Sequence, residues 1–160
     1  MKMLFGFLML LPAALSPALL LRGAGAEPAG YKYWSASELK AMSHPLASKS
    51  NAQTSNQDLA NFGADRMLMV HREGTGSAEV HQTEADVIVV VSGAGTLVVG
   101  GTMAGGKTTA ANELRGTSIT GGERQKIGPG DILHIPPKTP HQVLLDPGTQ
   151  ITYFTLKVKE

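Results

Sequence analysis

From Arg66 onward, the chain alternates between short runs of apolar and β-branched residues and short stretches that contain glycine or proline. Apolar runs of this length, rich in Val, Ile and Thr, predict β-strands rather than helices. The predicted strands are Met67 to Arg72, Ala78 to His81, Val87 to Val91, Thr96 to Val99, Thr117 to Thr120, Glu123 to Ile127, Ile132 to Ile135, Gln142 to Leu145 and Gln150 to Lys157. Many short strands separated by turn residues predict an all-β protein with an antiparallel sandwich or barrel.

Two connections between these strands have distinctive sequences. Gly93-Ala94-Gly95 stands between two β-branched runs and predicts a hairpin over residues 87–99. Residues 100–113 are rich in Gly, Thr and Ala and predict a long loop. Within that loop, residues 101–108 match the phosphate-binding pattern G-x-x-x-x-G-K-[ST]. No buried parallel strand precedes this segment and no long helix follows, so we expect no nucleotide binding there.

The segment before the strands, residues 27–64, predicts an N-terminal arm, which leaves residues 65–160 as a single barrel domain. Ser35 precedes Glu38 with the spacing of a capping box, which predicts a short helix through Met42. His44-Pro45 should end this helix, and the Ser-, Asn- and Gln-rich residues 47–57 predict a loop.

Residues 1–26 have the pattern of a cleaved signal peptide. The apolar run from Leu4 to Leu21 is followed by Ala24-Gly25-Ala26, a small-x-small cleavage pattern. An uncleaved membrane anchor is the alternative, because the run is close to the length that spans a bilayer. Pro12 and Pro17 interrupt the run and favour cleavage. We therefore expect a periplasmic or secreted protein with no stable membrane insertion after cleavage.

Charge and cysteine content exclude several classes of function. Lys2 and Arg22 lie in the predicted leader, so 14 basic residues become 12, against 13 acidic residues, and the mature chain has a net charge of −1. No basic footprint for a nucleic acid is present. The chain has no cysteine, which excludes disulfides, thiolate metal ligands and a cysteine nucleophile. An exported domain of this kind must be stabilised by its core, a metal ion or oligomerisation.

Four side chains form a candidate metal site. Glu79 and His81 are two residues apart on a predicted strand and therefore share one face. Asp86 begins the next strand, and His141 follows a proline at the start of a later one. Two imidazoles and one or two carboxylates suit Fe, Mn, Zn or Ni. The alternatives are a general base for Glu79, a turn cap for Asp86 and structural roles for the two histidines.

The spacing of these residues resembles the two motifs of the cupin superfamily. The first motif, Gly-x5-His-x-His-x3–4-Glu-x6-Gly, is matched by Glu79-x-His81, four residues, Asp86, six residues and Gly93. The second motif, Gly-x5-Pro-x-Gly-x2-His-x3-Asn, is matched by Gly130, five residues, Pro136-x-Lys138, two residues, His141, three residues and Leu145. The chain departs from these motifs at five positions, where the family has Gly, His, Glu, Gly and Asn: Glu73, Glu79, Asp86, Lys138 and Leu145. Gly74 or Gly76 could serve in place of the first glycine.

The resemblance implies a cupin-type antiparallel β-barrel or jelly roll with a short helical N-terminal arm. It places Glu79, His81, Asp86 and His141 at the four metal-ligand positions. It also implies a metal-dependent protein that binds or acts on a small organic molecule, with dioxygenase, isomerase or lyase chemistry and Glu79 as the candidate base. The alternatives are a ligand-binding module without metal and an oligomeric structural module.

The resemblance also implies a ligand inside the barrel. The side chains expected to line this interior are Met67, Met69, Ile88, Val90 and Tyr153. We expect His134 to lie in the pocket wall or to be structural, and His71 to line the mouth. The strand Val87 to Val91 is apolar on both faces, so its outward face must be covered by the arm or by a second subunit, which makes a homodimer a candidate assembly.

Overall fold

The computed structural model describes residues 28–48 and 53–160. The predicted leader, residues 1–26, lies outside the described residues. Residues 28–31 contain a turn in which the backbone N–H of Tyr31 donates to the carbonyl of Pro28 at 3.0 Å. The residues from Lys32 to Glu160 form a separate compact unit. In the part of the chain that the structure describes, no helix has the length and apolar character needed to cross a membrane.

Two short helices precede a series of strands in this unit. The helices are α1 (Ala36–Ala41) and α2 (Ser43–Ser48). The strands are β1 (Thr54–Asn61), β2 (Asp65–Arg72), β3 (Ala78–His81), β4 (Glu84–Gly93), β5 (Gly95–Val99), β6 (Thr102–Ala104), β7 (Lys107–Ala110), β8 (Glu113–Gly116), β9 (Ser118–Thr120), β10 (Glu123–Ile127), β11 (Ile132–Ile135), β12 (His141–Leu144) and β13 (Ile151–Lys159). The expectation of an all-β fold is confirmed, because most of the described chain lies in antiparallel strands.

The strands form two larger sheets and a small one. The first sheet has the order β1-β2-β13-β4-β11, and the second has the order β10-β5-β12-β3-β8-β7. Strands β6 and β9 pair separately. The inner faces of the two larger sheets supply one buried apolar cluster, which consists of Leu68, Val70, Ile88, Val90, Leu97, Ile127, Ile135, Val143, Ile151 and Tyr153. Burial of these side chains is the main apolar driving force that holds the sheets together.

The nine predicted strands are all present, but the predicted hairpin over residues 87–99 is wrong. Strand β4 pairs with β13 and β11 in the first sheet, whereas β5 pairs with β10 and β12 in the second. The chain therefore crosses between sheets at Gly93. The backbone of Gly93 has φ +75°, and a Cβ atom there would collide with the Gln150 carbonyl oxygen. The glycine-rich sequence marks this crossing rather than a two-strand turn.

Two predicted loops contain strands. Residues 100–113 include β6, β7 and the start of β8. The threonines in this segment favour extended backbone, and β6 pairs with β9 in the small sheet while β7 pairs with β8 at the edge of the second sheet. Residues 47–57 include the end of α2 and the start of β1. Strand β1 is polar, and it forms because its backbone pairs with β2. Pairing of this kind leaves no apolar signal in the sequence.

The predicted helix in the arm is confirmed as α1. The Ser35 hydroxyl accepts from the backbone N–H of Glu38 at 3.2 Å, and a Glu38 carboxylate oxygen accepts from the N–H of Ser35 at 2.7 Å. Helix α1 ends at Ala41, before His44-Pro45, but a second helix that was not predicted, α2, runs through both residues. Pro45 lies in the first turn of α2, where the missing backbone N–H would have no helical partner in any case.

The arm covers part of the outward face of the first sheet. Helix α2 contacts β1 and β2, and Leu46 of this helix is 1% exposed. Met69, whose side chain points away from the barrel interior, is fully buried. Helix α1 contacts β4. The arm of the same chain therefore covers part of this face, and a homodimer stays a prediction.

Candidate metal site

Strand register brings the candidate ligands of the second sheet together. Glu79 on β3 lies directly opposite His141 on β12. On the other side of β3, Glu79 lies opposite Arg115 of β8, and His81 lies opposite Glu113. A one-residue slip in any of these pairings would turn the side chains to the other face of the sheet, so the site depends on this register.

The first sheet supplies two more side chains to the same place. Asp86 on β4 lies opposite Lys157 on β13. Asp86 Oδ2 lies 3.2 Å from His81 Nε2 and 3.6 Å from His141 Nε2. The Pro-rich turn before β12 is fixed by the backbone N–H of Lys138, which donates to the carbonyl of His81 at 2.7 Å. The site thus lies between the two sheets.

Glu79, His81 and His141 could hold a metal ion. Each offers one ligand atom, and these atoms all lie within 4.8 Å of one another. The two imidazole rings are tilted by 53° with centroids 5.2 Å apart, and their Nε2 atoms both approach Asp86. Asp86, which the sequence predicts as a fourth ligand, is not one of these three residues but lies close to both histidines.

Outer hydrogen bonds fix both histidine rings. His81 Nδ1 lies 2.6 Å from Glu113 Oε1, and His141 Nδ1 lies 3.1 Å from the carbonyl oxygen of Thr139. Acceptors at both Nδ1 atoms favour the tautomer in which Nε2 carries a lone pair. Metal-binding histidines have this arrangement, in which the second ring nitrogen is held by a carboxylate or a backbone carbonyl. The donor set and its outer contacts therefore fit a divalent metal.

Lys157 was not predicted from the sequence, and its ammonium group lies in the middle of this arrangement. Lys157 Nζ is 2.9 Å from His81 Nε2 and donates to Asp86 Oδ1 at 2.7 Å. An ammonium group has only donors, so His81 Nε2 is the acceptor in this contact, which assigns His81 to the neutral tautomer protonated at Nδ1. The side chain of Lys157 is 14% exposed.

Glu79 is held by two arginines. Arg115 Nη1 donates to Glu79 Oε1 at 2.6 Å, and Arg72 Nη2 donates to the same oxygen at 3.2 Å. Burial by itself raises the pKa of Glu79, but the charges of Arg72 and Arg115 outweigh it and the net shift is downward. The other oxygen, Oε2, lies 3.7 Å from His81 Nε2 and remains directed at the histidines. A carboxylate with a lowered pKa binds a proton weakly, so Glu79 is better suited to bind a metal ion than to act as a general base.

The charges around Asp86 keep it ionised. Burial raises its pKa, but its contacts with the imidazoles of His141 and His81 and the charge of Lys157 hold the pKa far below its usual range. For His81, burial lowers the pKa, but its contacts with Asp86 and the charge of Glu113 outweigh burial and Lys157, so the net shift is upward. A protonated Nε2 would donate to Asp86 instead of accepting from Lys157. The shorter contact is the one with Lys157, which supports the neutral ring.

A cavity of about 520 Å³ opens above these residues. Its lining is largely polar and includes Arg72, Arg115, Gln142, Thr155 and Lys157 together with Glu79, Asp86, Glu113 and His141. Arg72 also donates from Nε to the hydroxyl of Tyr153 at 2.8 Å, at the apolar floor of the cavity. Thr155 Oγ1 and Glu113 Oε2 are buried without a hydrogen-bond partner in the described part of the chain.

Several predicted lining residues lie elsewhere. Ile88 and Tyr153 line the cavity, but Met67 and Met69 do not, because they alternate onto the outward face of β2. Val90 belongs to the apolar core. His71 is buried on that outward face, with Nδ1 2.8 Å from Thr152 Oγ1, and is absent from the cavity mouth.

His134 is exposed on β11 and does not line the cavity, so its predicted place in the pocket wall is wrong. The polar residues that were missed did leave a signal. Arg72 continues the inward series Leu68, Val70 on β2, and Lys157 continues Tyr153, Thr155 on β13, by strict two-residue alternation.

The sequence matches no protein-family model and no curated protein. Solved structures, however, resemble the chain. A conserved protein with a double-stranded β-helix domain from Klebsiella pneumoniae aligns with a TM-score of 0.55 at 14% identity, covering 81% of this chain and 90% of that one. The cupin domain of Cnp3 from Schizosaccharomyces pombe aligns with a TM-score of 0.51 at 6% identity, covering 69% and 67%. The chain has a cupin fold.

A cupin-2 domain protein from Rhodospirillum rubrum is also similar, with a TM-score of 0.49 at 16% identity. The alignment covers 68% of this chain, which spans only 61% of the length of that protein. At these identities the likeness concerns the cupin fold alone. The chemistry of the site must be argued from its own residues.

Proposed function

We propose that this chain is a cupin-fold protein that binds a divalent metal ion at the floor of its cavity and binds or acts on a small polar molecule there. The observation that supports this proposal most strongly is the convergence of Glu79, His81 and His141, whose ligand atoms lie within 4.8 Å of one another. Both imidazoles have their Nδ1 atoms held by outer acceptors, as metal-binding histidines do.

The ion would be held by Glu79, His81, His141 and Asp86. Two carboxylates and two imidazoles favour Mn, Fe, Zn or Ni over soft ions. When bound, such an ion supplies Lewis-acid or oxygen-binding chemistry. The candidate base, Glu79, has a pKa that the two arginines lower, which makes ligation its stronger role. Enzymatic activity of the dioxygenase, isomerase or lyase type stays a prediction.

The cavity lining favours a polar ligand over an apolar one. Arg115, whose side chain is 42% exposed, and the buried Arg72 both place guanidinium groups in the lining. Thr155, whose hydroxyl has no hydrogen-bond partner among the described residues, belongs to the same lining. Because unpaired buried polar groups cost free energy, a ligand with hydroxyl or carboxylate groups would be stabilised by these contacts.

A second candidate function is a ligand-binding module that works without metal. The observation that favours it is the ammonium group of Lys157, which already contacts His81 and Asp86. In that case Lys157 would neutralise the site permanently and the protein would recognise its ligand through the cavity alone.

Metal binding by the two histidine variants tests the proposal. We expect wild-type protein to bind Mn²⁺ or Zn²⁺ in a one-to-one ratio, measured by calorimetry and by metal analysis after dialysis. His81→Ala and His141→Ala should each weaken binding by more than about 100-fold, because losing a direct ligand costs more than losing an outer partner.

His134→Ala is the matched control, since His134 is exposed and lies away from the cavity. Its metal affinity should equal that of the wild-type protein. If metal binding were undiminished in both His81→Ala and His141→Ala, the proposed site would be wrong.

A further inference from the structure

The ammonium group of Lys157 contacts two of the residues that would hold the metal ion, His81 and Asp86. Its Nζ atom lies 2.9 Å from His81 Nε2 and 2.7 Å from Asp86 Oδ1. His81 Nε2, an atom expected to bind metal, therefore already has a cationic partner from the same chain, and the same partner contacts the Asp86 carboxylate. This partner comes from β13, next to β4 in the first sheet, whereas His81 lies on β3 in the second.

We propose that Lys157 is an internal competitor for the metal: it fills the cation position when no ion is bound and must leave when one binds. This inference rests on the proposed metal-binding function and adds a device that sets its affinity. An ion arriving at the site exchanges with a built-in positive charge instead of entering an empty cluster of carboxylates.

The competition follows from the single lone pair on the unprotonated imidazole nitrogen of His81. A neutral imidazole has one lone pair on its unprotonated nitrogen, and the Nδ1 atom of His81 is committed to Glu113 at 2.6 Å. The single lone pair on Nε2 can accept a hydrogen bond from Lys157 or coordinate a metal ion, but it cannot do both. Occupation by Lys157 and ligation by His81 are therefore mutually exclusive.

Electrostatics also favour one cation at a time. Asp86 is 6% exposed at its side chain, so its carboxylate needs a nearby positive charge when no metal is bound. Lys157 supplies that charge. A divalent ion that contacted Asp86 while Lys157 remained in place would face a like charge within a few ångströms in a poorly screened site.

The structure also provides a place for the displaced side chain. Lys157 lines the cavity, and its long flexible stem can move the ammonium group toward solvent while its strand stays paired. Removal of Lys157 from the site requires a rotamer change and no change in the sheet. The apparent metal affinity then equals the intrinsic affinity multiplied by the fraction of molecules in which Lys157 has left the site.

Replacement of Lys157 tests the competition directly. We expect Lys157→Met, which keeps a long unbranched side chain without the charge, to bind Mn²⁺ at least about tenfold more tightly than wild type in calorimetry. A hydrogen bond to a charged group corresponds to about this factor in an equilibrium constant. Lys157→Gln is the second variant, in case the apolar side chain impairs folding, and should shift the affinity in the same direction.

Lys159→Met is the matched control, because Lys159 is exposed on the same strand. This substitution removes the same charge at a position outside the site. Its Mn²⁺ affinity should match that of the wild type. Equal binding by Lys157→Met, Lys157→Gln and wild type would overturn the competition while leaving the metal site intact. If neither the wild type nor either Lys157 variant bound Mn²⁺, the proposed function itself would fail, and the competition with it.

A second measurement uses the unmodified wild-type sequence. Acetylation of lysines by an amine-reactive reagent, read by mass spectrometry of the peptides, should modify Lys157 faster with saturating Mn²⁺ than without it. Lys159 should react at the same rate in both conditions. Unchanged or slower modification of Lys157 in the presence of bound Mn²⁺ would show that the ion does not displace it.

Discussion

Individual side chains at the site depend on partners that a linear motif does not contain. His81 and His141 are recognisable from spacing, but the orientation of the His81 ring is set by Glu113, which lies 32 residues further along the chain. His81 and Glu113 lie close together because β3 pairs with β8 and places the two residues directly opposite each other. Residue type alone could not reveal this pair, because Glu113 belongs to a segment that the sequence predicts as loop.

Loss of the Glu113 carboxylate should therefore weaken metal binding without removing a ligand. We expect Glu113→Ala to lower the affinity for Mn²⁺ by about 10- to 100-fold, because the His81 ring loses the acceptor that fixes its tautomer and orientation. Calorimetry measures this change. Glu123→Ala, at an exposed position on β10, serves as the control and should behave as wild type. An affinity for Glu113→Ala equal to that of the control would contradict this role.

At the scale of the element, the turn between β11 and β12 determines where His141 lies. Lys138 in this turn has φ +63°, in the left-handed region, and its backbone N–H donates to His81. The cupin motif has glycine at this position, which adopts such a conformation without a Cβ penalty. The lysine keeps the turn geometry here at some cost in free energy.

Replacement of this residue by glycine should raise stability. The left-handed conformation costs a non-glycine residue about 1–2 kcal/mol, and the greater freedom of glycine in the unfolded chain offsets part of the gain. We expect Lys138→Gly to raise the free energy of unfolding by up to about 1 kcal/mol in urea titrations. Lys138→Ala keeps a Cβ and should give no such gain. Equal stabilities for the two variants would argue against backbone strain at this turn.

At the scale of the whole molecule, the candidate ligands come from both sheets. Asp86 belongs to the first sheet, whereas Glu79, His81 and His141 belong to the second. An ion shared by these residues would connect the two sheets, which the apolar core also joins. Metal binding should therefore stabilise the entire unit rather than a single strand.

Thermal unfolding measures this linkage. With free Mn²⁺ at about 100 times its Kd, the folded state should gain about 2.7 kcal/mol, and the melting temperature should rise in proportion. A chelator should reverse the increase. His81→Ala should melt at the same temperature with and without the ion. A melting temperature of the wild type that does not respond to saturating Mn²⁺ would exclude a metal that bridges the sheets.

Much of the fold was predictable because burial leaves a periodic trace. Strand β3 begins and ends where the sequence predicts, since its apolar residues alternate. Strands β10 and β11 also match their predicted bounds, and the Gly and Pro residues next to them mark their ends. Strand β1 and strand β7 were not predicted, because they are polar and are held by backbone pairing with β2 and β8. Backbone hydrogen bonds are the same for every residue type and leave no such trace.

By itself, the sequence determined that the chain forms an antiparallel β-protein with Glu79, His81, Asp86 and His141 on faces that can meet. The tertiary structure alone decided that β4 and β5 belong to different sheets, that Arg72 and Arg115 hold Glu79, and that Lys157 lies against His81 and Asp86. The physical reason is that alternation fixes which face a side chain occupies, whereas its neighbours on that face are set by strand register and by the packing of one sheet on the other.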